Sequence, residues 1–114
     1  MVRVKLFRRR SDRAIVGFSA SGHAGYAPHG EDIVCAAISA LTTVIVLGLE
    51  ERLQLSPEVN MDEEGGLLEC RLDLDALDER MRLRSQDLLE TLSLGLAEIQ
   101  KEYPEFLKVK EVAV

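Results

Sequence analysis

The chain has 114 residues, of which 46% are hydrophobic and 30% are charged. A chain of this length folds as one domain, and this composition excludes disordered and fibrous proteins. Fourteen basic against 20 acidic residues leave a net charge of -6, which argues against nonspecific nucleic-acid binding. Chemistry that needs a soft or near-neutral group must use four residues: His23, His29, Cys35 and Cys70.

The cysteine count and the first residues predict a cytoplasmic location. Two cysteines do not form the disulfide framework of a small secreted protein. The opening residues, MVRVKLFRRRSDR, carry positive charges with no apolar segment of a signal peptide after them. The longest uncharged run, Ile33 to Leu49, is shorter than the roughly 20 residues that cross a bilayer. We therefore expect it to be a buried helix, and we expect no membrane partner.

Periodicity in the sequence predicts an α+β fold with the element order β-β-α-β-β-α-β. Apolar residues alternate in the predicted strands, whereas they recur every three or four residues in the second helix, for which Ser85 is the expected N-cap. Gly65 and Gly66 are expected to supply left-handed geometry to a hairpin turn. The domain is expected to have two layers, a mostly antiparallel sheet and two helices packed on it. The expected strands are 2–8, 14–21, 58–62, 67–73 and 106–112, and the expected helices are 31–54 and 85–103.

The first predicted helix is apolar around nearly its full circumference. A helix on a protein surface normally has one polar face, so more than one face of this helix must be covered. A second subunit would cover the excess, and we expect a homodimer.

A glycine-rich loop, Gly22 to Gly30, carries His23 and leads directly to the helix that contains Cys35. The start of a helix favours a thiolate over a thiol, and an imidazole on the loop could fold back to exchange protons with it. The alternative is that Cys35 is a small apolar residue of a buried helix. Asp32, one turn before Cys35, either orients His23 or stabilises the helix start.

A metal site is a rival use of the four scarce residues. His23, His29, Cys35 and Cys70 are possible zinc ligands, but structural zinc ligands usually come in close pairs that this sequence lacks. We therefore expect no metal and no other cofactor. His29 is expected to be a solvated loop residue, and Cys70 a core residue on a strand.

Two segments resemble the ribosomal-processing cysteine proteases. The first is Ser21 to Leu41, SGHAGYAPHGEDIVCAAISAL, in which Gly-His-Ala and Asp-Ile-Val-Cys-Ala-Ala occur at the spacing of that family. The second is Leu94 to Val109, whose sequence GLAEIQKEYPEFLKV is similar to the family's second helix and last strand.

The resemblance implies a homodimeric cysteine endopeptidase. It would remove the N-terminal extension of a large-subunit ribosomal protein, number twenty-seven, with Cys35 as nucleophile and His23 as proton-transfer partner. Gly25, Tyr26 and Gly30 would belong to a mobile flap over the peptide, and N–H groups at the helix start would form an oxyanion hole. The alternative function is a noncatalytic ribosome-assembly or protein-binding module with a structural cysteine.

Overall fold

Five strands and two long helices follow the predicted order in the computed structural model, which describes residues 1–28, 30–64 and 66–114. A π-helical turn, Gly48–Arg52, extends the first helix, and a short 3-10 turn, Leu74–Ala76, precedes the second. The α+β class is confirmed. The elements are β1 (Val2–Arg8), β2 (Ile15–Ser21), α1 (Ile33–Leu47), β3 (Glu58–Asp62), β4 (Leu67–Arg71), α2 (Glu79–Glu102) and β5 (Leu107–Ala113).

The strands form one mixed sheet in the order β3-β4-β2-β1-β5. Three neighbouring pairs are antiparallel, and β5 pairs with β1 in parallel, because the chain crosses over through α2 before it returns. Ser21 at the end of β2 lies opposite Arg3, and Ala20 lies opposite Leu68. The starts of β1 and β4 therefore meet the end of β2 at one edge of the sheet, where the loop with His23 begins.

The apolar side chains that alternate with charged ones along β1 form part of the core. Val2, Val4 and Leu6 are buried, whereas Arg3 and Lys5 between them are exposed. The core continues through Phe18 of β2 and the inward faces of both helices, where leucines of α2 are fully buried. Burial of this apolar surface is the main stabilising contribution to the fold, and it fixes the register of β1.

The two helices pack against each other through a close approach at Gly95. A Cβ atom at Gly95 would lie 2.8 Å from Leu41 Cδ2, so a larger residue there would force the Leu41 side chain to shift. By length and composition, 33–52 is apolar enough to cross a membrane, but a core helix passes the same test. Here α1 buries Val34, Ile38 and Ile45 in the core, while its outer face stays exposed.

Both helices differ from the predicted boundaries. Asp32 is the N-cap of α1, so the helix begins at Ile33 and not at Glu31, and it passes into the π-helical turn before Gln54. The N-cap of α2 is Asp78, seven residues before the predicted N-cap Ser85, which is buried within the helix. The Ser85 hydroxyl donates to the carbonyl of Arg82, a bond of 2.8 Å that satisfies it inside the helix.

Candidate active site

Cys35 lies in the first turn of α1, half-buried, and its position follows from the capping of the helix by Asp32. The Asp32 carboxylate accepts a hydrogen bond from the Cys35 N–H at 2.9 Å, and the Asp32 carbonyl accepts one from the Ala36 N–H at 3.0 Å. The helix start therefore places the thiol near the positive end of the helix dipole. The same bonds occupy two of the N–H groups that the resemblance implied for an oxyanion hole.

His23 follows β2 and is exposed. Its backbone is hydrogen-bonded to the N-terminal residue of the chain. The amino group of Met1 donates to the His23 carbonyl at 2.7 Å. Gly22 has a φ of +89°, and a Cβ atom there would lie 2.6 Å from the carbonyl oxygen of Met1. The start of β1 and the residues before His23 thus lie in close contact.

Two clefts meet at His23 and Cys35. The first has a volume of about 470 Å³ and lies between α1 and the β3–β4 hairpin. The second, of about 390 Å³, lies between α1 and the loop that follows His23. His23, Cys35 and Ser39 line both clefts. The structure therefore brings together the two residues that the sequence singled out, and it adds Ser39, one turn after Cys35.

Asp32 binds backbone N–H groups on two segments. One carboxylate oxygen accepts from Cys35, and the other accepts from the N–H groups of Tyr26 at 3.0 Å and Ala27 at 3.4 Å. These bonds, chiefly the one from Cys35, hold the pKa of the Asp32 carboxyl below its usual range. Asp32 thus has the helix-start role, and it ties the flap to α1. It also lines the second cleft with His23.

The flap carries an aromatic contact to the far end of the chain. The Tyr26 ring lies edge-on to Tyr103, with ring centroids 5.8 Å apart, and to Phe106 at 5.2 Å. Gly25 and Gly30 line the second cleft, and both have positive φ. Of the three predicted flap residues, Gly25 and Gly30 therefore line the second cleft, whereas Tyr26 docks the flap onto the connection between α2 and β5.

Cys70 is separate from this site. It is buried on β4 opposite Phe18, and burial, with a smaller effect of Glu50, raises the pKa of its thiol to about 11. The prediction that Cys70 faces the core is confirmed. His29 and Gly65 lie outside the described residues. Within 1–28, 30–64 and 66–114, no three His, Cys, Asp or Glu side chains form a metal-binding group.

Ser39 and Gly66 are cleft residues that the sequence did not single out for function. A serine within a helix gives no functional signal by itself, and the place of Ser39 beside both clefts follows from the packing of α1. Gly66 was expected only as a turn residue, and its φ of +64° fits that expectation. The Gly-Gly pair in the sequence predicted the turn, but nothing in the sequence indicated that Gly66 lines the cleft.

The family comparison covers nearly the whole chain. Residues 1–108 match the family model described as cysteine protease Prp. The ribosomal processing cysteine protease Prp of Bacillus subtilis (strain 168) is 31% identical over 102 residues, which is 90% of each chain. The protein of the same name from Staphylococcus aureus (strain Mu50) is 31% identical over 88 residues, 77% of this chain and 78% of the relative.

Solved structures share the fold. A crystal structure of the Staphylococcus aureus ribosomal processing protease Prp with a covalently linked product peptide has a TM-score of 0.82 at 27% identity. It covers 98% of this chain and is itself covered completely. The crystal structure of SMU.848 from Streptococcus mutans has a TM-score of 0.81 at 30% identity, over 100% of this chain and 96% of that one.

Proposed function

The chain belongs to the Prp family of ribosomal processing cysteine proteases, and on that premise we propose that Cys35 is its nucleophile and His23 its proton-transfer partner. The observation that carries this assignment is that both residues line the same two clefts, with Cys35 in the first turn of α1. The chain is a cysteine protease, so the alternative of a noncatalytic module is set aside.

The reaction is an acyl transfer in two steps. The Cys35 thiolate attacks the scissile carbonyl carbon and forms an S–C bond, and the protonated His23 gives its proton to the leaving amine as the C–N bond breaks. Neutral His23 then takes a proton from water, whose oxygen attacks the thioester and releases the carboxylate product and the thiolate. Because Asp32 engages the Cys35 N–H, oxyanion stabilisation needs donors other than that group.

We propose that the substrate is the N-terminal extension of large-subunit ribosomal protein number twenty-seven. The relatives are named for ribosomal processing, and one of them was crystallised with a product peptide. The first cleft suits a peptide with apolar side chains, because Val2, Ile38, Met61 and Leu67 line it. Beyond residue 13 the chain has a net charge of -11, which favours encounter with a basic ribosomal protein. We place the reaction in the reducing cytoplasm, in keeping with two free cysteines.

We also propose that the enzyme is a homodimer joined through α1. The outer face of α1 carries an unpartnered apolar stripe with spacings of four and three residues, as in a coiled-coil seam. Three of its large side chains are exposed in the single chain: Ile33 at 56%, Val44 at 57% and Leu47 at 47%. Large apolar side chains exposed together on one face are typical of an interface. The stripe consists of Ile33, Ala37, Ala40, Val44 and Leu47.

The catalytic assignment predicts that Cys35→Ala and His23→Ala lose cleavage while they remain folded. Removing either member of a nucleophile–base pair lowers kcat by roughly three orders of magnitude or more. The measurement is mass spectrometry of the ribosomal protein with its extension, after incubation with each variant. Undiminished cleavage by either variant would overturn the assignment.

Cys70→Ala is the matched control, because Cys70 is a core thiol outside both clefts. We expect it to cleave as the unchanged enzyme does. In the folded enzyme at neutral pH, iodoacetamide should label Cys35 and spare Cys70, since a buried thiol with a raised pKa does not react. Labelling of Cys70 in preference to Cys35 would contradict the proposal.

A further inference from the structure

The turn between β3 and β4 touches the loop that carries His23. A Cβ atom at Gly66 would lie 3.1 Å from both Nε2 and Cε1 of the His23 imidazole. It would also lie 2.8 Å from the carbonyl oxygen of Gly22. The turn therefore packs against two consecutive residues of the loop, at a distance that a side chain at position 66 would not allow.

The contact matters because, within the part of the chain that the structure describes, no regular element fixes the ring. His23 is exposed, and it lies beyond the end of β2, so neither a strand nor a helix fixes its side chain. Gly66, by contrast, belongs to a turn between two paired strands and is closed by a bond from its N–H to the Glu63 carbonyl. The β3–β4 hairpin thus lies against the exposed imidazole, inside the first cleft.

We propose that Gly66 is a positioning residue that sets the orientation of the His23 imidazole toward Cys35. This inference rests on the proposed function, in which His23 transfers protons. Proton transfer depends on the distance and direction between donor and acceptor, and a displacement of about 1 Å can cost a factor of roughly 100 in rate. A side chain at position 66 is disfavoured for two separate reasons, the φ of +64° and the close approach to the Gly22 carbonyl and the ring, so a Cβ atom there would displace the imidazole.

Two substitutions separate these reasons. Gly66→Ala introduces a Cβ atom in a backbone conformation that alanine rarely adopts, whereas Gly66→Asn introduces a Cβ atom in one that asparagine tolerates. We expect Gly66→Asn to be the more stable of the two variants. Both should lower kcat by about 10- to 100-fold with KM within a factor of about three, because the ring moves while the other residues that line the first cleft stay in place.

NMR gives a second readout that needs no substrate. The chain has only two histidines, so its spectrum contains two Hε1 signals, and His23→Ala identifies the one from His23. We expect a nuclear Overhauser contact between His23 Hε1 and a Gly66 Hα in the unchanged enzyme, and a displaced His23 signal in both Gly66 variants. Absence of that contact in the unchanged enzyme would overturn the proposal even if both variants failed to fold.

Glu64→Ala is the matched control, since Glu64 is exposed in the same turn and does not line either cleft. It should retain kcat and the His23 signal. Unchanged kcat in folded Gly66→Asn, or a loss of kcat equal to its unfolded fraction, would show a merely structural role. Full cleavage by His23→Ala would instead contradict the proposed function, so the two failures are distinguishable.

Discussion

A single carboxylate connects the two halves of the site at the residue scale. Asp32 caps α1 through the Cys35 N–H and holds the flap through the N–H groups of Tyr26 and Ala27. Capping places the thiol at the helix start, and the flap bonds place the second cleft beside it. Because an ionised carboxylate accepts bonds on both oxygens, one residue can do both.

Substitution of Asp32 separates these two functions. Asp32→Asn retains one oxygen to cap α1 but presents an NH₂ group that cannot accept from the flap, whereas Asp32→Ala loses both. We expect Asp32→Ala to melt about 5 °C below Asp32→Asn. Amide exchange at Tyr26 and Ala27 should accelerate in both variants, and slow exchange in Asp32→Asn would contradict the flap function.

The same residue predicts the acid response of the unchanged enzyme. The Asp32 pKa is lowered in the fold, so its bonds stabilise the folded state above the ordinary value of 3.8. That contribution is lost as the pH falls through the folded pKa. Exchange at Tyr26 and Ala27 should therefore rise at acid pH in the unchanged enzyme and stay flat in Asp32→Ala, after correction for intrinsic rates.

At the scale of elements, the sequence predicted those parts of the fold that depend on local patterns. The bounds of β1 and β3 were correct, since alternation and turn residues define them within a few positions. The predicted start of α2 was wrong, because Asp78 caps the helix before its apolar stripe begins. The contact of Gly66 with His23 could not be predicted from local patterns, because it joins loops some 40 residues apart in the sequence. The register between β2 and β4 brings these loops together.

The flap depends on the end of α2 through its aromatic contacts. Tyr26 packs edge-on against Tyr103 and Phe106, and each such pair contributes about 0.5 to 1.5 kcal/mol. We expect Tyr26→Ala to speed amide exchange at Ala27 by about tenfold, with little effect on the amides of β1. Tyr26→Phe keeps the ring and should behave as the unchanged enzyme. Equal exchange in the two variants would show that the ring does not hold the flap.

At the scale of the whole molecule, basic and acidic groups are sorted to different places. Six of the 14 basic residues lie within the first 13 positions. Arg8 pairs with Glu90 and Glu111, and Arg9 pairs with Asp12 and Asp75, at the edge of the sheet opposite His23. This basic segment thus neutralises acidic neighbours within the fold, and Asp62 and Glu63 border the first cleft. An acidic border of this kind would favour encounter with the basic substrate proposed above.

The proposed dimer is a prediction about the whole molecule, and the apolar stripe of α1 makes it testable. A charge at the centre of an apolar seam is costly to bury, so Val44→Glu should separate the subunits while the monomer stays folded, because Val44 lies outside the core. Sedimentation equilibrium is expected to give the mass of two chains for the unchanged enzyme and of one chain for Val44→Glu. Leu83→Glu is the control, since it makes the same kind of change at an exposed position of α2, 63% accessible, and it should remain dimeric. A dimer that survives Val44→Glu would mean that the stripe on α1 is not the interface.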